Sequence, residues 1–284
     1  RSTLMLNSKN RLAKVWLELF IFILVIFLTS LNHSPEVAGQ NAWSLIQFYT
    51  LGLSLHALWR LGLPKANAYL KALPLGLLVG ASYIDTSLLV RPVFDLAVLM
   101  PFLVMGGYTF ICSLSFFRLR EVFPSSPIAF FNNKPSQSVA YSLLIGLVSG
   151  LVLGGVNLLI AQEPLHFQGS IHPLILSLSP GIMEEIGMRT SFYVHCLVLI
   201  KNQPLKPAEN RTLWAMMLLP HTLIHLPPVF IQAGFSSGML SLVLLVLLFG
   251  LPFAWLQRRV SLLSACLSHW LVDTIRFLMI GLPI

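Results

Sequence analysis

Three short stretches in the last third of the chain carry side chains that apolar helices rarely hold. They are Glu184-Glu185 with Arg189, His221 with His225, and His269 with Asp273 and Arg276. Each lies inside a long apolar run. An ionisable group deep in a membrane helix costs roughly 2.5–3.5 kcal/mol on insertion scales, and such residues are functional candidates by default. Glu185 and Arg189 are four apart, share a helix face and can pair. Glu184 is rotated about 100° away and is left to face something else. His221 and His225 repeat the spacing, as do His269 and Asp273. Ser179-Pro180 reads as an N-cap followed by a first-turn proline. That start places Glu184 where the helix dipole favours a carboxylate. The preceding Ile171–Leu178 stretch reads as a break or a shallow re-entrant piece.

This set can activate water. A desolvated carboxylate beside a histidine serves as a general base. A second histidine and a hydrogen-bond donor can hold a tetrahedral oxyanion. Amide hydrolysis in a membrane cavity fits the combination, and it requires neither a metal nor a cofactor. Two rivals stand beside it. His221, His225 and His269 with Glu184 could form a zinc ligand set, although Thr222 follows His221 and the His-Glu-x-x-His signature is absent. A non-enzymatic transporter, scaffold or immunity protein could use the polar cluster for binding, although no inverted repeat stands out.

The elements that must position these residues are transmembrane. Of 284 residues, 56% are hydrophobic and 10% are charged, with a mean hydropathy of +0.81, against about a quarter charged in soluble domains. The net charge of +8 does not point to nucleic acid, because the basic residues fall between apolar runs. Reading for spans of about 20 residues gives Val15–Leu31, Trp43–Leu61, Leu70–Val90, Val93–Phe117, Val139–Ala161, Pro173–Ile200, Leu213–Gln232, Gly238–Gln257 and Leu262–Gly281. The first resembles a signal peptide without a cleavage site and is read as an uncleaved helix. Lys and Arg gather in every second loop, which predicts a cytoplasmic N-terminus and an external C-terminus.

The expected fold class is therefore all-α, a polytopic transmembrane bundle of eight or nine spans with a catalytic core in the last four. Residues 1–138 form the N-terminal helices and cytoplasmic loops, and residues 139–284 form the core. Gly146, Gly150 and Gly154 predict a helix-packing seam. Cys112, Cys196 and Cys266 are far apart in apolar runs and read as buried hydrophobes. Glu18, Asp85, Asp95 and His195 lie toward span ends and read as interfacial or packing residues.

The three motifs together resemble those of the CAAX prenyl protease and bacteriocin-processing family of membrane-embedded glutamic endopeptidases. Glu184, Glu185 and Arg189 look like its Glu-Glu-x-x-x-Arg motif, and His269 and Asp273 look like the Asp form of its His-x-x-x-Asn motif. The second motif, Phe-x-x-x-His, departs from pattern. If His225 is its histidine, His221 stands where Phe is expected; if His221 is, Met217 stands there. Leu226 after His225 favours the former. The resemblance covers about Pro173 to Gly281. It implies that Glu184 activates water with His225, that His269 and Asp273 hold the carbonyl oxygen, and that Glu185 and Arg189 orient the helix. It also implies a protein or peptide substrate at the bilayer: a prenylated protein, a precursor or a C-terminal sorting tail. The short loops suggest a bacterial plasma-membrane protein.

Overall fold

A computed structural model describes residues 8–84, 96–131, 138–161, 163–167, 171–200 and 204–281. Of the described residues 85% are helical, and no strand occurs among them. The helices are α1 (Ser8–Ser30), α2 (Pro35–Leu61), α3 (Ala66–Ser82), α4 (Leu96–Val122) and α5 (Val139–Ala161). The short α6 (His172–Leu176) leads into a π-helix, π1 (Ser179–Thr190), which continues as α7 (Ser191–Ile200). Next come α8 (Pro207–Leu223), α9 (Pro227–Leu245), a second π segment π2 (Val246–Gly250), α10 (Leu251–Arg259) and α11 (Leu262–Met279).

Among the described residues, five helices are long and apolar enough to cross a membrane: Asn10–Ser30, Leu99–Val122, Val139–Ala161, Pro227–Arg259 and Leu262–Met279. The expected eight or nine are not all matched by such helices, for identifiable reasons. The sixth expected span contains π1 with its three charges. The seventh is not one helix, because α8 ends at Leu223 and a turn leads to Pro227. The eighth lies within a longer run that starts at Pro227 and breaks at Gly234, whose φ of 79° is non-helical. The end of the third expected span and the start of the fourth, with Asp85 and Asp95, lie outside the described residues.

Among the described residues, most Lys and Arg collect at one end of the bundle. Arg11 of α1 donates to the Ile200 carbonyl at the end of α7 (2.8 Å), and Arg118 of α4 donates to the Leu61 carbonyl at the end of α2 (2.9 Å). Arg258 donates to Asn210 (2.6 Å), and the Leu262 N–H donates to the Ala129 carbonyl (2.8 Å). Lys65, Arg120, Lys206 and Arg259 belong to the same rim by their positions at helix ends. At the opposite end, Asn41 donates to the Thr29 carbonyl (3.3 Å) and Trp270 to the Leu174 carbonyl (2.9 Å).

The glycine seam pairs α5 with α11. The buried residues of α5 are Ser142, Gly146, Gly150 and Gly154, a strict four-residue stripe. A Cβ on Gly150 would come within 2.8 Å of the Leu271 Cβ and 3.0 Å of the Ser268 carbonyl oxygen. The adjacent Gly155 would meet nothing within 4 Å. Gly150→Ala should therefore lower the melting temperature in detergent. Gly155→Ala should leave it unchanged or raise it, since Ala gains up to about 1 kcal/mol over Gly inside a helix. Equal shifts in the two variants would rule out the seam as a tight helix contact.

Candidate active site

The π1 segment brings the two carboxylates to the centre of the bundle. In a π-helix, backbone bonds run from residue i to i+5, and such widened turns recur at functional sites. Here the Thr190 hydroxyl donates to the Glu185 carbonyl five residues back (2.7 Å), and Gln257 of α10 donates to the same carbonyl (3.2 Å). The turn can widen because these side chains satisfy its carbonyl. Gly181 lets α11 lie directly against π1, since a Cβ there would fall 2.6 Å from the Trp270 Cβ. Pro180 lies in the first turn of the segment, but the Ser179 hydroxyl is not a backbone cap; it bonds the Tyr83 hydroxyl at 2.8 Å.

Glu185 and Arg189 form the expected ion pair, and both side chains have 0% exposure. Four donors converge on the Glu185 carboxylate. Arg189 Nε and Gln257 Nε2 reach Oε2 at 3.0 and 2.6 Å. Arg189 Nη2 and His269 Nδ1 reach Oε1 at 3.3 and 2.8 Å. Arg189 also donates to the Met217 carbonyl (2.9 Å), to the Gly250 carbonyl (3.4 Å) and to His221 Nδ1 (3.0 Å).

That last contact sets the state of His221. A guanidinium only donates, so Nδ1 accepts and the ring proton sits on Nε2. His221 Nε2–H then donates to Glu184 Oε2 at 2.8 Å. His269 approaches the same oxygen from the other side, with Nε2 at 3.6 Å. Its Nε2 also lies 3.4 Å from Asp273 Oδ2. Phe253 stacks on the His269 ring at 4.5 Å and 12° between planes, so packing as well as hydrogen bonding fixes its orientation.

Above this network is a cavity of about 620 Å³ whose lining includes Trp43, Tyr83, Asn157, Glu184, His225 and Arg276. His221 and His269 reach Glu184 in its wall, while Trp43, Phe249 and Phe277 supply apolar walls.

The structure brings Glu184, Glu185, Arg189, His221, His225, His269 and Asp273 to one site. His221 rather than His225 is the histidine hydrogen-bonded to Glu184. His225 lies one turn on, with its ring 5.3 Å from that of His221 and edge-on to Trp43 at 5.2 Å. It is the more accessible of the two. Among the described residues, the ion-pair contact of Asp273 runs to His269 and not to Arg276. Sequence reading missed Gln257, Phe253 and Trp43. Gln257 directly precedes Arg258-Arg259 and so looks like the polar end of a span; its full burial depends on tertiary contacts. His195 bonds Glu18 at 2.8 Å, away from the site.

Ligand atoms of Glu184, His221 and His225 lie within 4.8 Å of one another, so the three residues could approach one metal ion. The Arg189 contact opposes this. A metal-bound histidine usually donates its second ring N–H to an acceptor, whereas His221 Nδ1 receives a proton donor. Coordination through Nε2 would require that contact to break. No family model, curated protein or solved structure matches this chain.

Proposed function

We propose that this protein is a membrane-embedded endopeptidase in which Glu184 activates water without a metal. The observation that carries the reading is the Arg189 guanidinium, which pairs with Glu185 and donates to His221, leaving His221 Nε2–H directed at Glu184. Such an arrangement holds one carboxylate as a structural partner and the other as a base. Glu184 takes a proton from water as its oxygen adds to the scissile carbonyl carbon. His269 Nε2 bonds the developing oxyanion, with Asp273 orienting its ring. When the C–N bond breaks, the proton held by Glu184 passes to the leaving nitrogen, which gives an amine and a carboxylic acid that then loses its proton to water. The sequence resemblance to the CAAX prenyl protease and bacteriocin-processing family points to the same chemistry.

The closeness of the Glu184, His221 and His225 ligand atoms favours one second reading, a metal-dependent membrane protease. Chelation separates the two. Cleavage of a membrane-protein substrate by the purified enzyme should be unchanged in 1,10-phenanthroline and EDTA. Loss of cleavage in phenanthroline, restored by added zinc, would move the assignment to the metalloprotease.

A further inference from the structure

We infer that the site is reached from the extracytoplasmic face, and that what enters it is a polypeptide segment presented there. The class this names is an exported precursor or the outer end of a membrane-spanning segment. The inference rests on the hydrolase reading for what enters, and on geometry alone for where it enters.

The cavity has a closed side and an open side. Toward the basic rim it is floored by Arg189, Gly250 and Phe253, all buried. Beneath them Gln257 is fully buried against Glu185, and its chain neighbours are Arg258 and Arg259. The core below, including Phe192, Leu197, Ile200 and Met216, is at most 4% exposed. No peptide could pass through that packing. Away from the rim the lining becomes accessible at Trp43, Tyr83, Asn157, Asp273 and Arg276. Tyr83 follows the end of α3, Asn157 is four residues from the end of α5, and Arg276 is three from the end of α11. At about 1.5 Å per residue, Asn157 and Arg276 sit roughly 4.5–6 Å below those ends. All three helices begin at the basic rim and end at the opposite face.

Charge fixes which face that is. Lys and Arg mark the cytoplasmic side of a membrane protein. Among the described residues, Arg276 is the sole Lys or Arg near the open end; Arg189 is central, and the rest belong to helix ends at the rim. The mouth therefore opens outward. A lipid-modified cytoplasmic C-terminus would have to cross the packed floor to reach Glu184, so that substrate class is disfavoured.

Cysteine labelling tests this without measuring turnover. The native cysteines Cys112, Cys196 and Cys266 are buried, so the parent protein is the background. His33 and Lys206 are exposed at the open and basic ends respectively. A sulfonated, membrane-impermeant maleimide should label His33→Cys and Asn157→Cys in intact cells, and Lys206→Cys in inverted vesicles alone. Labelling of Asn157→Cys in inverted vesicles alone would overturn the inference. Its labelling by a permeant maleimide but never by the impermeant one would overturn it too, because the cavity would then open to lipid. If the outward pattern holds but Glu184→Gln cleaves like the parent, the hydrolase reading fails and the entry side stands.

Discussion

Glu184→Gln should give a protein that inserts, folds and melts like the parent but cleaves its substrate at least about a hundredfold more slowly. Gln keeps the size of Glu and a carbonyl oxygen for the His221 Nε2–H, which lies 2.8 Å from Glu184 Oε2. What it removes is the basic oxygen. His221→Ala should lose activity to a similar degree, because it takes away the 2.8 Å hydrogen bond to that carboxylate and leaves an Arg189 N–H without its acceptor. His225→Ala should be milder. The sequence resemblance alone favours the opposite order of the two histidines, so the pair discriminates motif from geometry. Asp273→Asn should be tolerated, since an amide oxygen can still accept from His269 Nε2. Cleavage rates are to be read beside melting temperatures in detergent. Parental rates for Glu184→Gln at equal expression would end the glutamic-protease assignment.

Glu185→Gln should fail in a different way, by loss of stability. Breaking a buried pair from one side costs about 3–5 kcal/mol, because the remaining charge is left uncompensated. Here the penalty has a second source. Arg189, Gln257 and His269 place four N–H groups on the two Glu185 oxygens. Whichever position the new amide NH2 takes, it points a donor at donors. A marked fall in melting temperature is expected, with activity in the surviving folded fraction reduced less than in Glu184→Gln. An unchanged melting temperature would mean that Glu185 is not the ionised hub of this network.

Much of the site is legible in the sequence because charge in an apolar run is a strong signal, and i,i+4 spacing decides which groups share a face. Glu185–Arg189, His269–Asp273 and the seam at Gly146, Gly150 and Gly154 follow from spacing alone. The choice between His221 and His225 does not. It depends on where α8 ends, and the turn after Leu223 leaves His221 inside the helix facing π1 and puts His225 beyond it. Nor does the sequence reveal the π-helix at Ser179–Thr190, because the carbonyl it exposes is satisfied by Gln257, 72 residues from Glu185 along the chain. Span counting is limited for a related reason. Polar residues that build the site lower the hydropathy of the helices carrying them.

Arg189 has five N–H groups, and each has an acceptor: two on Glu185, then Met217, Gly250 and His221. Those acceptors belong to π1, π2 and α8, and His269 on α11 adds a further donor to Glu185. A chain still emerging from the ribosome without α10 and α11 can pair Glu185 with Arg189 but lacks the donors Gln257 and His269. The hydrogen-bond set around Glu185 is therefore completed only when α10 and α11 have packed against π1.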